Sequence, residues 1–219
     1  MSPVTEAEFY HDMEISELHL DALREISNIG MGHAATAMNQ MIGRPVRLSI
    51  PEAGLITVGE LPEMLGGPNR TVAGIHINVW GDITGTILLV IPRKSTAALC
   101  SLLLGQAREE DEQTLNELES SALQEIGNIV VSSYLSALER LLEKTFLPSV
   151  PTVTYEKAGD LVDRALVHLG EDGDRTMVIR TDFMGDGDAD GIKGHFFLLP
   201  DPESLKLILK AARVLKEEP

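Results

Sequence analysis

The chain has 219 residues, 43 % of them hydrophobic, which is enough to bury a sizeable core in one domain or in two small units. Its 34 acidic residues outnumber the 18 Lys and Arg, so the net charge is −16. This charge argues against nucleic acid or anionic lipid as the main partner, because phosphate contacts need a basic surface. No apolar run approaches the roughly 20 residues of a membrane helix, and the N-terminus has no basic segment followed by an apolar one. We therefore expect a cytoplasmic protein.

The first half begins with a long predicted helix over 16–41, with Ser16 as its N-cap. The apolar face of this helix consists of Leu18, Ala22, Ile26, Ile29, His33 and Ala37. Four predicted strands follow, at 46–50, 54–59, 71–80 and 83–91, with a turn at Gly81 and Asp82. A short helix over 94–104 ends at Gly105. It contains Cys100, the one cysteine of the chain, whose apolar neighbours predict a buried thiol.

The second half starts at the acidic run 109–112, which we interpret as a solvated linker that favours the N-terminus of the following helix. That helix is predicted over 111–144. Predicted strands follow at 150–156, 164–169, 176–183 and 192–199, and a closing helix at 202–216. Strand-rich stretches flanked by helices and joined by short turns predict an α+β sandwich with a largely antiparallel sheet.

An internal repeat relates the two halves. Residues 21–29, DALREISNI, match residues 121–129, SALQEIGNI, at six of nine positions and with a displacement of 100. We predict that the halves, about 12–108 and 112–219, form a single domain over 1–219, related by an approximate twofold rotation. A shared sheet would cover edge strands that separate halves leave unpaired. Both long helices are then expected on one side of that sheet.

Each long helix carries a polar stripe beside its apolar face. Positions i, i+4, i+7 and i+11 fall within a narrow arc of a helix, so the side chains of one stripe reach solvent together. The stripes consist of Asp21, Glu25, Asn28 and Gly32 in the first helix, and of Ser121, Glu125, Asn128 and Ser132 in the second. One such stripe would be ordinary on a solvated helix face. Two copies, each with a small residue one turn beyond the asparagine, indicate a surface that another molecule approaches closely.

The repeated spacing extends to a proline, because 22 residues separate each asparagine from Pro51 or Pro151. This order of Asp or Ser, then Glu, Asn and Pro resembles the site pattern of the CheC/CheX/FliY family of chemotaxis phosphatases. Residues 28–37, NIGMGHAATA, resemble the CheC form of the first copy. The resemblance covers nearly the whole chain, and both copies are complete, as expected for a two-site, CheC-like member.

The resemblance implies a protein phosphatase that hydrolyses the aspartyl phosphate of a phosphorylated CheY-type response regulator. It also implies a possible second partner, the receptor deamidase CheD. The expected catalytic residues are Glu25, Asn28, Glu125 and Asn128, supported by Asp21, Pro51, Ser121 and Pro151, while Gly32 and Ser132 allow the substrate to approach. No cofactor is expected on this chain itself, because the regulator supplies the Mg²⁺ ion.

Chemistry divides the roles within each copy. An acyl phosphate has a good carboxylate leaving group, so the phosphatase mainly needs to place a water in line with phosphorus. An asparagine amide, with one acceptor and two donors, can hold that water. The glutamate is assigned to docking, through a cationic side chain of the regulator.

Three other signals are discounted. Residues 30–35, GMGHAA, match a loose dinucleotide-binding pattern but lie inside a helix and follow no predicted strand. Residues 186–191 begin like a calcium loop, yet the twelfth position is Phe197 where a glutamate is needed, which favours a polar turn. The six histidines lack metal-ligand spacing, and His33 is expected to pack in the helix face.

Two other functions stay open at this point. The chain could be a regulatory binding module that sequesters CheD or phosphorylated CheY and turns over slowly, since intact site residues do not set a rate. A flagellar switch component is disfavoured, because no basic or apolar docking domain follows Lys216.

Overall fold

The computed structural model describes residues 17–43, 46–109, 112–166, 175–185 and 192–217, which contain six α-helices and seven strands. The helices are α1 (Glu17–Ile42), α2 (Leu61–Met64), α3 (Arg93–Leu104), α4 (Glu117–Leu142), α5 (Ala158–Leu166) and α6 (Pro202–Glu217). The strands are β1 (Val46–Thr57), β2 (Thr71–Gly81), β3 (Gly85–Pro92), β4 (Phe146–Pro148), β5 (Thr152–Lys157), β6 (Arg175–Gly185) and β7 (His195–Pro200). Every pairing among these strands is antiparallel, which confirms the predicted α+β fold. The predicted N-cap Ser16 and the predicted turn at 186–191 lie outside the described residues.

The strands form one sheet in the order β1-β6-β7-β3-β2-β4, in which β5 also pairs with β2. β1 belongs to the first half of the chain but pairs with β6 of the second. Conversely, β4 and β5 of the second half pair with β2 of the first. β3 and β7 meet at the centre. Each half therefore completes its part of the sheet with strands from the other half.

The alternation of side chains along the central strands gives the sheet two apolar faces. One face packs against α1, α3, α4 and α6 in the larger cluster, which includes Ile75, Ile77 and Leu89. The other face packs against α2 and α5 in a smaller cluster, which includes Leu88 and Phe197. Both long helices therefore lie on the same side of the sheet, as predicted.

The single cysteine lies in the larger cluster. Cys100 is buried, and desolvation raises the pKa of its thiol to about 11. A thiol with this pKa stays protonated at neutral pH, so it is a poor nucleophile. The prediction of a buried thiol is confirmed.

The second long helix begins six residues later than predicted, at Glu117. Asn116 is its N-cap: the asparagine side chain accepts a hydrogen bond from the Glu119 backbone N–H, and the Glu119 carboxylate accepts one from the Asn116 N–H. This capping box satisfies two backbone donors at the helix start. The sequence NELE at 116–119 carries the signal for this start, whereas the helix is predicted from 111.

Four of the predicted strands differ from the observed ones. The segments predicted at 46–50 and 54–59 form one strand, β1, with a shift of register between Ser49 and Glu52. The strand predicted at 150–156 corresponds to β5 alone, and the three-residue strand β4 before it is not predicted. Residues 164–166 of the strand predicted at 164–169 belong to α5, and 167–169 lie outside the described residues. In α5 the buried residues are Ala158, Leu161, Val162 and Ala165. This is the spacing of one helical face: the buried residues recur with the period of a helix, 3.6 residues, and not with the period of a strand, 2 residues.

The predicted apolar face of α1 is wrong at two positions. His33 is exposed and Ile29 is 41 % exposed. The side chains of Leu18, Ala22 and Ile26 from the predicted face lie outside the described residues. Among the described side chains of α1, the buried ones are Ser27, Gly30, Met31, Ala34 and Met38. The reason is the contact with α4, where the fully buried Tyr134 ring fills the space above Gly30 and the Tyr134 hydroxyl lies 3.4 Å from Ser27 Oγ. The small residues Ser27 and Gly30 allow α1 and α4 to approach closely, but their low hydropathy gives no sign that they are buried.

We expect Gly30→Ala and Gly32→Ala to have opposite effects on stability. A Cβ at Gly30 would lie 2.6 Å from Tyr134 Cδ2, so the two helices must separate, at a cost of about 1–3 kcal/mol. A Cβ at Gly32 meets nothing within 4 Å, and alanine there raises the free energy of unfolding by about 0.5–1 kcal/mol. Urea denaturation followed by circular dichroism measures both changes. Equal stabilities for the two variants would contradict the close helix contact.

Candidate active site

Both polar stripes lie on the solvent side of their helices. The exposed members are Asp21, Glu25, Asn28, Gly32, Ser121, Glu125 and Asn128, while Ser132 is half-buried. Neither asparagine faces the core. The side chains expected to hold water and to dock a partner are therefore accessible to another molecule.

The sheet side of α4 explains why its stripe faces outward. Gly127 is buried against β2, and a Cβ at this position would lie 2.5 Å from Ile75 Cγ2. Helix and sheet therefore approach each other closely at Gly127. The next residue along the helix is rotated by about 100°, which turns Asn128 away from the sheet and towards solvent.

A cavity of about 270 Å³ lies beside Asn128. Its lining residues come from α4, from the end of β4 and from the segment between β4 and β5: Gln124, Glu125, Asn128, Pro148, Ser149, Val150 and Pro151. Three members of the repeated pattern, Glu125, Asn128 and Pro151, therefore meet in one place although Pro151 is distant in sequence. Of these seven side chains only Glu125 is charged, so a cation that pairs with it must come from outside the cavity lining.

The wall opposite α4 is formed by residues 148–151, and hydrogen bonds fix it at two points. The Ser149 N–H donates to the Asn78 carbonyl of β2 at 2.8 Å, and the Asn78 N–H donates to Ser149 Oγ at 3.0 Å. At the other end, Gln124 Nε2 donates to the carbonyl oxygen of the buried Pro151 at 2.8 Å. Val150 lies between the two points and is 75 % exposed. It forms an apolar rim at the cavity mouth.

Sequence reasoning identified Glu125, Asn128 and Pro151 but missed the other lining residues. Gln124 lies inside the repeat but differs from its counterpart Arg24. A search for residues that are identical in both copies therefore does not select it. Pro148 ends a strand of only three residues and Val150 follows it, and nothing in the local sequence indicates that this strand runs beside α4.

The first copy has the same exposed Glu25 and Asn28 with different neighbours. Arg24 Nη1 donates to Asp21 Oδ1 at 3.1 Å, in an exposed ion pair one helical turn apart. Pro51 lies in β1 at the point where the pairing with β6 changes register. A proline suits such a position because it cannot donate to the strand ladder.

Two further properties concern the whole described part of the chain. Among residues 17–43, 46–109, 112–166, 175–185 and 192–217, no group of three or more His, Cys, Asp or Glu side chains is arranged to hold a metal ion. None of the helices in these segments is both long enough and apolar enough to cross a membrane.

The fold and the site together define a class of protein: an α+β protein with one shared sheet, in which a carboxylate and an amide are presented on each of two long helices. The CheC-like family matches residues 18–54 and 118–155, which contain both copies of the pattern from Asp21 to Pro51 and from Ser121 to Pro151. A relative from Bacillus subtilis (strain 168), the CheY-P phosphatase CheC, is 35 % identical over 90 % of this chain and 95 % of its own length. This chain therefore belongs to the CheC-like family.

Other similar proteins agree with this assignment. The flagellar motor switch phosphatase FliY of B. subtilis is 27 % identical over 77 % of this chain, although the match covers only 46 % of FliY. The crystal structure of FliY from Thermotoga maritima superposes with a TM-score of 0.74 at 20 % identity, covering 94 % of this chain and all of that one. At this identity the structural match shows the shared fold.

Proposed function

We propose that this chain is a phosphatase that hydrolyses the aspartyl phosphate of a phosphorylated CheY-type response regulator. The observation that carries the proposal is the cavity in which Glu125, Asn128 and Pro151 meet. The similar proteins support the same reaction, because the B. subtilis relatives are named as a CheY-P phosphatase and a flagellar motor switch phosphatase.

The reaction needs positioning more than covalent help. The oxygen of a water molecule bonds to phosphorus while the bond from phosphorus to the aspartyl oxygen breaks, which yields inorganic phosphate and a free carboxylate. The Asn128 amide can accept from and donate to that water, and so hold it in line with the breaking bond. A cavity of about 270 Å³ accommodates both the water and part of a phosphoryl group. The Mg²⁺ ion belongs to the regulator in this scheme.

Glu125 has a different role in this scheme. It is exposed at the cavity, and no cationic side chain is present among the lining residues. A lysine or arginine of the regulator can pair with it and set the orientation in which the aspartyl phosphate meets Asn128. Glu25 has the same role beside Asn28 in the first copy.

We expect replacement of both Glu25 and Glu125 with glutamine to weaken docking. KM should rise about tenfold and kcat should change less than about twofold, because a lost charge pair acts on binding. The KM of the parent protein should itself rise with added salt, which screens exposed charges. Steady-state kinetics at several salt concentrations measure both effects. Glu63→Gln, at an exposed position on α2, is the matched control.

A different result would change the assignment of the glutamates. An unchanged KM together with a displaced pH profile of kcat would make them general bases rather than docking residues.

Release of inorganic phosphate tests the proposed function directly. A phosphorylated CheY-type regulator with bound Mg²⁺ is mixed with a twentieth of its concentration of this chain, and free phosphate is followed over time. We expect release well above the rate of the regulator alone, with many turnovers for each chain. Binding without faster release would instead assign the chain as a regulatory binding module.

Three accompanying proposals rest on family membership and on the strand order. CheD is proposed as a second partner, which co-purification of the two proteins tests. The interleaved strands support a single domain over 1–219, for which one cooperative unfolding transition is expected. We also place the chain in the cytoplasm, where its proposed substrate acts.

A further inference from the structure

We infer that Gln124 is a positioning residue of the second site, which holds the cavity wall in place through its hydrogen bond to Pro151. The inference deepens the phosphatase function proposed above and rests on it. Gln124 belongs to no part of the repeated Glu–Asn–Pro pattern, yet it lines the same cavity as Glu125 and Asn128.

The hydrogen bond joins two elements that are 27 positions apart in sequence. Gln124 Nε2 donates to the Pro151 carbonyl oxygen at 2.8 Å, in a partly buried position. Proline has no backbone N–H, so its carbonyl is the backbone group through which Pro151 can be tied to the helix. A glutamine side chain supplies the donor that this carbonyl requires.

The bond acts on the turn of helix that carries the chemistry. Gln124 and Asn128 are four residues apart, and side chains at this spacing are neighbours on a helix surface. The wall is therefore attached beside the amide that holds water in the proposed mechanism. Its other attachment, between Ser149 and Asn78 of β2, lies on the far side of the exposed Val150. Without Gln124 the wall would keep its attachments to β2, at Ser149 and through the pairing of Thr152 with His76, but would lose its hydrogen bond to the helix.

The first copy has different residues at the positions that correspond to Gln124 and Ser121. The residues at the corresponding positions are Arg24 and Asp21, and they form an ion pair with each other at 3.1 Å. In the second copy Ser121 replaces the aspartate and Gln124 replaces the arginine. Both positions therefore change together. Arg24 pairs with a residue of its own helix, whereas Gln124 at the equivalent position bonds to Pro151 in the cavity wall.

The test isolates the second site in an Asn28→Ala background and compares Gln124→Met with its parent. Methionine keeps the length, the neutral charge and the helix propensity of glutamine but cannot donate. We expect kcat to fall about tenfold, with KM within about twofold, because loss of one positioning hydrogen bond misplaces groups at the reacting centre. The same change at an exposed helical glutamine, Gln40→Met, should leave both constants unchanged.

A second measurement follows the wall itself and does not depend on activity. Hydrogen exchange of a peptide covering residues 146–153 should become faster in Gln124→Met than in the parent. It should become slow again in Gln124→Lys, whose side chain still donates and is long enough to reach the carbonyl. Fast exchange together with an unchanged melting temperature identifies a local effect on the wall.

The outcomes separate this inference from the proposed function. An unchanged kcat or unchanged exchange in Gln124→Met overturns the positioning role while the phosphatase function stands. If the parent releases no phosphate from the regulator, the proposed function fails, and the positioning role falls with it.

Discussion

Replacing both Asn28 and Asn128 with alanine is expected to lower phosphate release about 100-fold, close to the rate of the regulator alone. Each amide is proposed to hold the attacking water, an interaction made mainly in the transition state, so its loss lowers kcat more than it weakens binding. Each single variant keeps one intact asparagine and should retain part of the turnover. Phosphate release and binding of the phosphorylated regulator are measured in parallel, and the dissociation constant should change less than about threefold.

Asn69→Ala is the control for this experiment, because Asn69 is exposed in the loop before β2 and belongs to neither copy of the pattern. Full activity in the double variant would contradict the mechanism. Loss of binding together with activity would instead assign the asparagines to docking.

Arg108→Met is expected to lower the free energy of unfolding by about 3–5 kcal/mol, because it leaves a buried carboxylate without its partner. The side chains of Arg108 and Glu119 are only 3 % and 6 % exposed, and Arg108 Nη1 donates to Glu119. Nη2 donates to the Thr114 carbonyl at 2.8 Å, and the guanidinium lies 5.6 Å from the centre of the Tyr155 ring. This single side chain therefore ties the segment between the halves to the capped start of α4.

Guanidinium chloride denaturation measures the effect, and two variants serve as comparisons. Arg164→Met removes a 56 % exposed arginine from an ion pair with Glu156 and should cost less than about 1 kcal/mol. Adding Glu119→Gln to Arg108→Met should recover part of the loss, since glutamine removes the unpaired charge and still fits a capping box. A cost below 1 kcal/mol for Arg108→Met would show that water reaches the buried carboxylate.

The fold class and the long helices were predictable from sequence because both depend on local signals. Turn residues and helical periodicity are visible within short windows, and the repeat within two nine-residue segments compared with each other. The buried face of α1 was not predictable in this way, since Ser27 and Gly30 carry little hydropathy and only the position of Tyr134 explains their burial. The helix α5 was missed for a related reason, because its first residues continue an extended strand without a proline or a strong cap.

Some residues of the candidate site were predictable from the sequence, and others become apparent only in the folded structure. Glu125 and Asn128 could be named because the chain contains their pattern twice, and Pro151 because its spacing is repeated. Gln124 and Val150 act through the placement of β4 beside α4, which is a property of the assembled sheet. No single window of sequence contains it.

The exchange of strands between the halves has a consequence for how the protein is made. β1 pairs with β6, and in that pairing Leu48 lies opposite Phe183. During synthesis β1 therefore leaves the ribosome long before its partner exists, and contacts so distant in sequence slow folding. A nascent first copy must wait with open strand edges, which are prone to aggregate. A chain released after the linker would leave β2 without β4 and β5 as well. We therefore expect a point substitution to remove one site and spare the other, and a truncation after the linker to disrupt both.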